Sequence, residues 1–436
     1  EVCDVITTQL TSSNGQPVVF ATTGDKVLPY GSYSLHEIDP STGYLKNDGW
    51  NTGVFEIHQD GMIKKFDDYG SGLVEPVKRG GLAVGKVDNE TGEYTPLGDT
   101  TLANTKFAIK TLSEQPVSVK HEDGTQTVYH KGDIVDIITT QKYEKDGKEV
   151  YIAKTLIDAL PYGTYQVYEV EPPTGYLPTG QSIWSETFTI RDDGVYNTDV
   201  CYSYSEHLDQ MSDAANVADF SDNKVRETAH ANKNQVYRSD FSFNKISDDQ
   251  ERMANIPFLI TSSRGEKHVV VTDENGLFDS KSEWYSHEAN TNKNDEAVTW
   301  NDDGTYFVDQ SKLSPEYGLW FTGSKDFTTS ANDTKGAFPY DTYAVEELRC
   351  EANTGYQLIK FTATVHRNAV HYDLGTKTDN EVKINTELGY LDSMEDVAPS
   401  VGEITLKDVV SYENVNVGTE YKLVGKLHLQ NEDGTD

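Results

Sequence analysis

The chain has 436 residues and a net charge of −35, from 72 acidic against 37 basic side chains. A charge of that sign and size repels phosphate backbones and excludes nucleic acid as a partner. The length implies roughly two to four domains, since single cores seldom grow beyond about 250–300 residues, and no apolar run reaches the roughly 18–20 residues that a membrane helix needs.

The 26 Tyr, with frequent Val, Thr and Ile, favour strands, and only 4 Met are present. All-β is the fold class predicted. The chain opens in mid-pattern at EVCDVITTQL with no signal peptide ahead of it, and so reads as a piece of something longer. The segment LPYGSYSLHEIDPSTGYL (28–45) is a tight turn, an alternating strand carrying Glu37, and a Gly-Tyr turn. Next, VKRGGLAVGKVDNETG (77–92) predicts a strand ending in Lys86, followed by a turn and the apolar strand TKFAIKT. The first motif then returns as LPYGTYQVYEVEPPTGYL (160–177) with Glu169 at the same place. After a polar, weakly patterned stretch at 201–235 the second motif returns as VYRSDFSFNKISDDQ (236–250), ending in Lys245. The first motif appears again as FPYDTYAVEELRCEANTGYQL (338–358), with Glu347.

The repeat unit is therefore a lysine strand, several further strands, a glutamate strand and a closing strand. Its period of roughly 150 residues suits beads on a string rather than a solenoid. The boundaries expected are the C-terminal part of one domain at 1–77, complete domains at 78–237 and 238–383, and the first part of a different β-domain at 384–436.

A lysine ending an apolar alternating strand calls for an explanation. Alternation puts Lys86 on the face of Leu82 and Val84, Lys245 with Phe241 and Phe243, and Glu169 with Tyr165 and Val167, all inward. Burial drives both Lys and Glu toward their neutral forms. A neutral amine is a nucleophile, and a protonated carboxyl donates to a carboxamide oxygen. With an Asn side chain in reach, the amine attacks the carboxamide, the Glu shuttles protons, ammonia leaves and an isopeptide bond remains. Holding the reactants in contact supplies the effective molarity, so no cofactor is required.

These patterns resemble the Cna-B and SpaA-like domains of Gram-positive pilins and adhesins over residues 1–383. More narrowly, RMANIPFLITSSRGEKHVVVTDENG with PYDTYAVEELRCEANTGY resembles the SpaA-like modules of VaFE-repeat surface-anchored proteins, and DVVSYENVNVGTEYKLVGKL resembles the VaFE repeat. The resemblance implies tandem immunoglobulin-like sandwiches in an elongated rod. It also implies Lys86 as nucleophile, Glu169 as catalytic carboxyl and Asn234 as acceptor, with Asn223 as the alternative. In the following domain it implies Lys245, Glu347 and Asn380, with Asp379 as the alternative acceptor. The first domain keeps Glu37 in the catalytic place, but its lysine would lie upstream of residue 1 and Glu75 stands at the acceptor position. VaFE-type repeats are closed by a Thr–Gln ester, which implies Thr386 as one half and a Gln beyond residue 436 as the other.

The function this implies is a structural stalk of a cell-wall-anchored surface adhesin or pilin, extracellular, with single-turnover self-crosslinking as its only chemistry. The partner implied is a host surface ligand held through the parent protein, the segment itself being a monomer within a longer chain. Two alternatives are a host-binding module using loops such as 201–235 or 286–304, and an accessory domain of a carbohydrate-active enzyme. Cys3, Cys201 and Cys350 make neither a disulfide framework nor a zinc pattern, and no metal site is expected.

Overall fold

The computed structural model describes residues 2–13, 16–66, 73–145, 148–197, 231–391 and 402–426. Helical structure among them is confined to Gly180–Ile183 and three short 3-10 turns; the other regular elements are strands. The chain is a series of β-sandwiches, as the strand-rich composition predicts.

Residues 79–234 build two facing sheets. One is centred on the lysine strand, Arg79–Asp88, flanked by Lys148–Lys154 and Leu160–Pro161, with Tyr196–Asn197 and Asn232–Asn234 added in parallel. The other runs Ser185–Ile190, Gly163–Glu171, Lys106–Thr111, Ile134–Thr139. Leu82, Val84, Phe107, Ile109, Tyr165 and Val167 meet between them as the core. Residues 238–379 repeat the plan. The lysine strand Arg238–Ser247 takes His371–Asp379 in parallel, and the facing sheet runs Lys267–Val271, Pro257–Thr261, Asp341–Glu347, Lys360–Val365. Its core is aromatic, with Phe241, Phe243, Phe258 and Tyr343 fully buried.

Strict alternation does not describe the first lysine strand, because Gly80–Asp88 is buried on both faces. Its outer face, Ala83 and Val87, lies under Tyr94, Leu97, Leu102 and Tyr176. The excursion 89–105 covers the sheet and makes a second apolar layer, which a period-of-two reading cannot anticipate.

The sandwiches meet through a recurring contact. Gly175 (φ +85°) lies so close to the following unit that an added Cβ would stand 2.9 Å from the Tyr340 ring; at Gly43 (φ +88°) it would stand 2.7 Å from the Tyr162 ring. The positive φ and the lack of room together require glycine at both places. Beside the second joint, buried Arg238 donates from Nε and Nη2 to Glu90 (2.8 and 2.7 Å) and stacks 3.8 Å over Trp320. Burial pushes the Glu90 carboxyl up, but the charge and hydrogen bonds of Arg238, with Gln235 and Lys335, outweigh it and hold it below the usual range. Replacing Arg238 by Met would leave that buried carboxylate to Lys335 (3.1 Å) and Gln235 alone, with an expected loss of about 1.5–3 kcal/mol. A urea titration of the whole chain should show it as a lower unfolding midpoint for the 238–379 sandwich; an unchanged midpoint would reduce the ion pair to decoration.

Among the described residues up to 66, Gln9–Ser13 pairs antiparallel with Gln16–Phe20, and Gly31–Tyr33 with Phe55–Ile57. At the other end Lys383–Tyr390 pairs antiparallel with Leu406–Glu413.

Candidate crosslinking sites

The same closure appears three times along the chain. Leu45, Leu177 and Gln357 donate their backbone N–H to Pro76 O, Gln235 O and Asn380 O, at 2.7, 2.8 and 2.9 Å. Two residues before each pairing of a turn tyrosine with the closing segment (Tyr44–Val77, Tyr176–Val236, Tyr356–Glu381) stand Glu75, Asn234 and Asp379. In each copy the motif glutamate accepts a backbone N–H from the chain beyond the Gly-Tyr turn. Asn47 donates to Glu37 at 2.6 Å, Thr179 to Glu169 at 2.8 Å and Ile359 to Glu347 at 3.2 Å.

In the first complete sandwich Lys86, Asn234 and Glu169 are all buried. Lys86 and Asn234 come from adjacent parallel strands, with Lys86 opposite Asn232 and Asp88 opposite Asn234. Glu169 comes from the facing sheet. Asn234 donates from Nδ2 to Glu169 Oε2 (2.7 Å) and to Leu177 O (2.9 Å), which leaves its Oδ1 enclosed and unpartnered. The Lys86 amine has only backbone oxygens within hydrogen-bonding distance, Val87 O at 3.0 Å and Asn232 O at 3.3 Å. Burial lowers its pKa from 10.5 to about 7, against the opposing pull of the Glu169 and Asp88 carboxylates. An amine whose neutral form is accessible near pH 7 thus shares a buried face with a carboxamide, two positions along the paired strand, whose nitrogen is already bonded to Glu169.

In the second sandwich the residue that meets the lysine is the alternative, Asp379, and not Asn380. Asn380 is exposed and engages this site only through its backbone carbonyl. The register pairs Ser247 with Asp379, so residue 379 points inward and residue 380 outward. Lys245 Nζ is in direct contact with Asp379 Oδ1 and 3.7 Å from Glu347 Oε2; all three side chains are fully buried. The amine and both Asp379 oxygens have no hydrogen bond of ordinary geometry. Burial, then the neighbouring Asp379, push the Glu347 carboxyl up to about 8, although Lys245 pulls the other way. At neutral pH Glu347 thus holds a proton that it can donate to Asp379. Sequence reasoning missed Asn353, fully buried, whose Nδ2 donates 2.8 Å to Glu347 Oε1 and 2.9 Å to Leu348 O. It sits in the turn NTGY and looks like a turn residue only.

In the first copy Glu37 and Glu75 lie side by side. The hydrogen bond from Glu75 is the chief cause of the raised pKa of Glu37. No lysine joins them among the described residues. Thr386 lies on Lys383–Tyr390 opposite Val410 and is exposed. Asn223 and Cys201 fall outside the described residues, as does most of 201–235. The loop 286–304 is partly packed, with His287, Asn294 and Ala297 buried, while Trp300 is 46% exposed. Among the described residues no group of His, Cys, Asp and Glu is arranged to hold a metal, and no helix is long and apolar enough to cross a membrane.

Residues 374–436 match the sequence profile of the T-Q ester bond containing domain. That match spans the last of the closing strand and the ladder on which Thr386 lies. No curated protein matches the chain. Among solved structures, the Bacillus anthracis TIE protein is 17% identical with a TM-score of 0.40, over 85% of this chain and 44% of that one. The major pilin subunit BcpA of Bacillus cereus is 12% identical (TM-score 0.24, 85% and 89%), and the shaft pilin SpaA of Lactobacillus rhamnosus GG 13% identical (TM-score 0.17, 70% and 98%). The chain spans less than half of the TIE protein structure. Likeness at this level bears on neither activity nor partners.

Proposed function

We propose that this chain is part of an extracellular stalk of a Gram-positive surface adhesin or pilin, stiffened by self-formed bonds between Lys86 and Asn234 and between Lys245 and Asp379. One observation carries the reading. Twice, a buried lysine on the first strand of a sandwich has, two positions beyond its partner on the paired last strand, a buried side-chain acyl group, with a buried glutamate from the opposite sheet beside them. The T-Q ester bond match next to these sandwiches supports it, since an ester there would be a third covalent closure, through Thr386. Joining first to last strand leaves a pulled sandwich no end from which to unzip. By analogy with other crosslinks it adds about 5 kcal/mol for a loop of roughly 130–150 residues.

The test is intact mass followed by peptide mapping. The mass should fall short of the sequence value by one ammonia, from Lys86–Asn234, and one water, from Lys245–Asp379. Branched peptides should join those residues and no other pair, with none involving residues 1–77. An uncorrected sequence mass would remove the crosslinks and leave plain sandwiches with costly buried lysines.

A further inference from the structure

The two sites differ in a way that points to an additional participant. Two residues after each lysine, on the same face of its strand, stand Asp88 and Ser247. Their cross-strand partners are Asn234 and Asp379. Each site thus has one carboxyl and one neutral polar group at this pair of positions, but on opposite strands. Both residues accept from backbone N–H groups of the turn that follows: Asp88 Oδ1 from Glu90 N (2.7 Å) and Thr91 N (3.0 Å), and Ser247 Oγ from Glu251 N (3.2 Å). Capping alone therefore calls for an oxygen, which Ser supplies, and not for a charge. Asp88 is fully buried, and its second oxygen is enclosed with no hydrogen bond of ordinary geometry; besides Lys86, the groups acting on its carboxyl are the Tyr176 hydroxyl and the Glu90 carboxylate.

The chemistry accounts for the swap. A lysine arriving in the fold as ammonium has to lose a proton before it can attack. In the second site Asp379 can take that proton itself, because ammonium plus carboxylate gives amide plus water. The carboxamide of Asn234 cannot. Resting on the crosslinking reading above, the geometry points to Asp88 as the group that accepts the Lys86 proton and holds it during bond formation. The ammonium passes one proton to the Asp88 carboxylate. The free amine then attacks Cγ of Asn234, Glu169 carries the second amine proton to Nδ2, the C–Nδ2 bond breaks, and ammonia leaves. The other groups facing Lys86 are Glu169, hydrogen-bonded to Asn234, and Tyr176, whose ring lies 5.7 Å from the amine. Burial also raises the Asp88 carboxyl to about 6, close to the lowered lysine, which lets the proton move between them.

The experiment follows the mass of the whole chain after cell-free synthesis, from pH 6 to 9. Asp88→Asn keeps the capping oxygen and removes the proton acceptor. It is expected to fold while losing ammonia at least ten-fold more slowly at pH 6.5, and to converge on the natural chain near pH 9. The double change Asp88→Ser with Asn234→Asp copies the second site and should restore bonding, now with loss of water. Asp88→Asn bonding at the natural rate across the range, or faster, would make Asp88 a turn cap and nothing more. If the natural chain never loses ammonia, both this role and the Lys86–Asn234 bond fall together.

Discussion

Glu347→Gln is expected to leave the 238–379 sandwich folded but unjoined, with the water loss absent and the ammonia loss from the other sandwich intact. The amide is nearly isosteric with the acid. Its oxygen can still accept from Asn353 Nδ2 or Ile359 N, so packing is preserved. What disappears is a proton held at neutral pH against Asp379, because a carboxamide cannot give up and regain one. General acid–base groups contribute about 10²- to 10⁴-fold, so bonding should slow by at least the lower figure. Without the bond the sandwich loses about 5 kcal/mol, which at this size corresponds to roughly 15 °C in melting temperature. Mass and melting curve are best read on the same sample. A variant that still loses water would show that Glu347 only fills space, and would return Lys245 to a tethered core lysine.

How far the sequence led can be judged residue by residue. Lys245 and Glu169 were legible because each shares the parity of two apolar neighbours on a strand, Lys86 by the same parity although its strand is buried on both faces, and Glu347 because it repeats the motif place of Glu169. Asn234 was legible only through the family resemblance. Its counterpart stayed open between Asn380 and Asp379 because the closing strand, HYDLGTKTD, runs into NEVK with little apolar marking to set the parity. Only the pairing of Ser247 with Asp379 shows which of 379 and 380 faces in. Asp88 and Asn353 were invisible for another reason. Both residue types are common in turns, and both do serve turns here, so nothing in the sequence separates their capping role from their place beside a reactive group. The joint was hidden as well, since Arg238 and Glu90 are 148 positions apart and meet only when two sandwiches stack.

Two substitutions that both abolish the second bond should differ in cost, and the order tests the electrostatics of the site. Asp379→Ala removes the contact partner of Lys245 and opens a small cavity, leaving a buried amine with only Glu347, 3.7 Å away. An unpaired buried charge costs about 3–5 kcal/mol, and the lost crosslink about 5 more, which approaches the whole stability of an ordinary domain. Lys245→Met loses the same crosslink but fills the amine's place with an apolar chain, and two neighbouring carboxyls can share a proton. At pH 5 it should therefore be the more stable variant by a few kcal/mol. Its advantage should shrink as pH rises. The folded-state pKa of Glu347 is about 8 against an ordinary 4.5, and loss of the Lys245 charge pushes it further up. Between those values the folded chain holds a proton that the unfolded chain has released, so stability falls with rising pH across that window and is flat below it. Urea midpoints of the two variants at pH 5, 6.5 and 8 would decide it. A Lys245→Met variant that gains stability toward pH 8 would mean that Glu347 and Asp379 are both ionised in the fold, and that the proton assigned to Glu347 is not there.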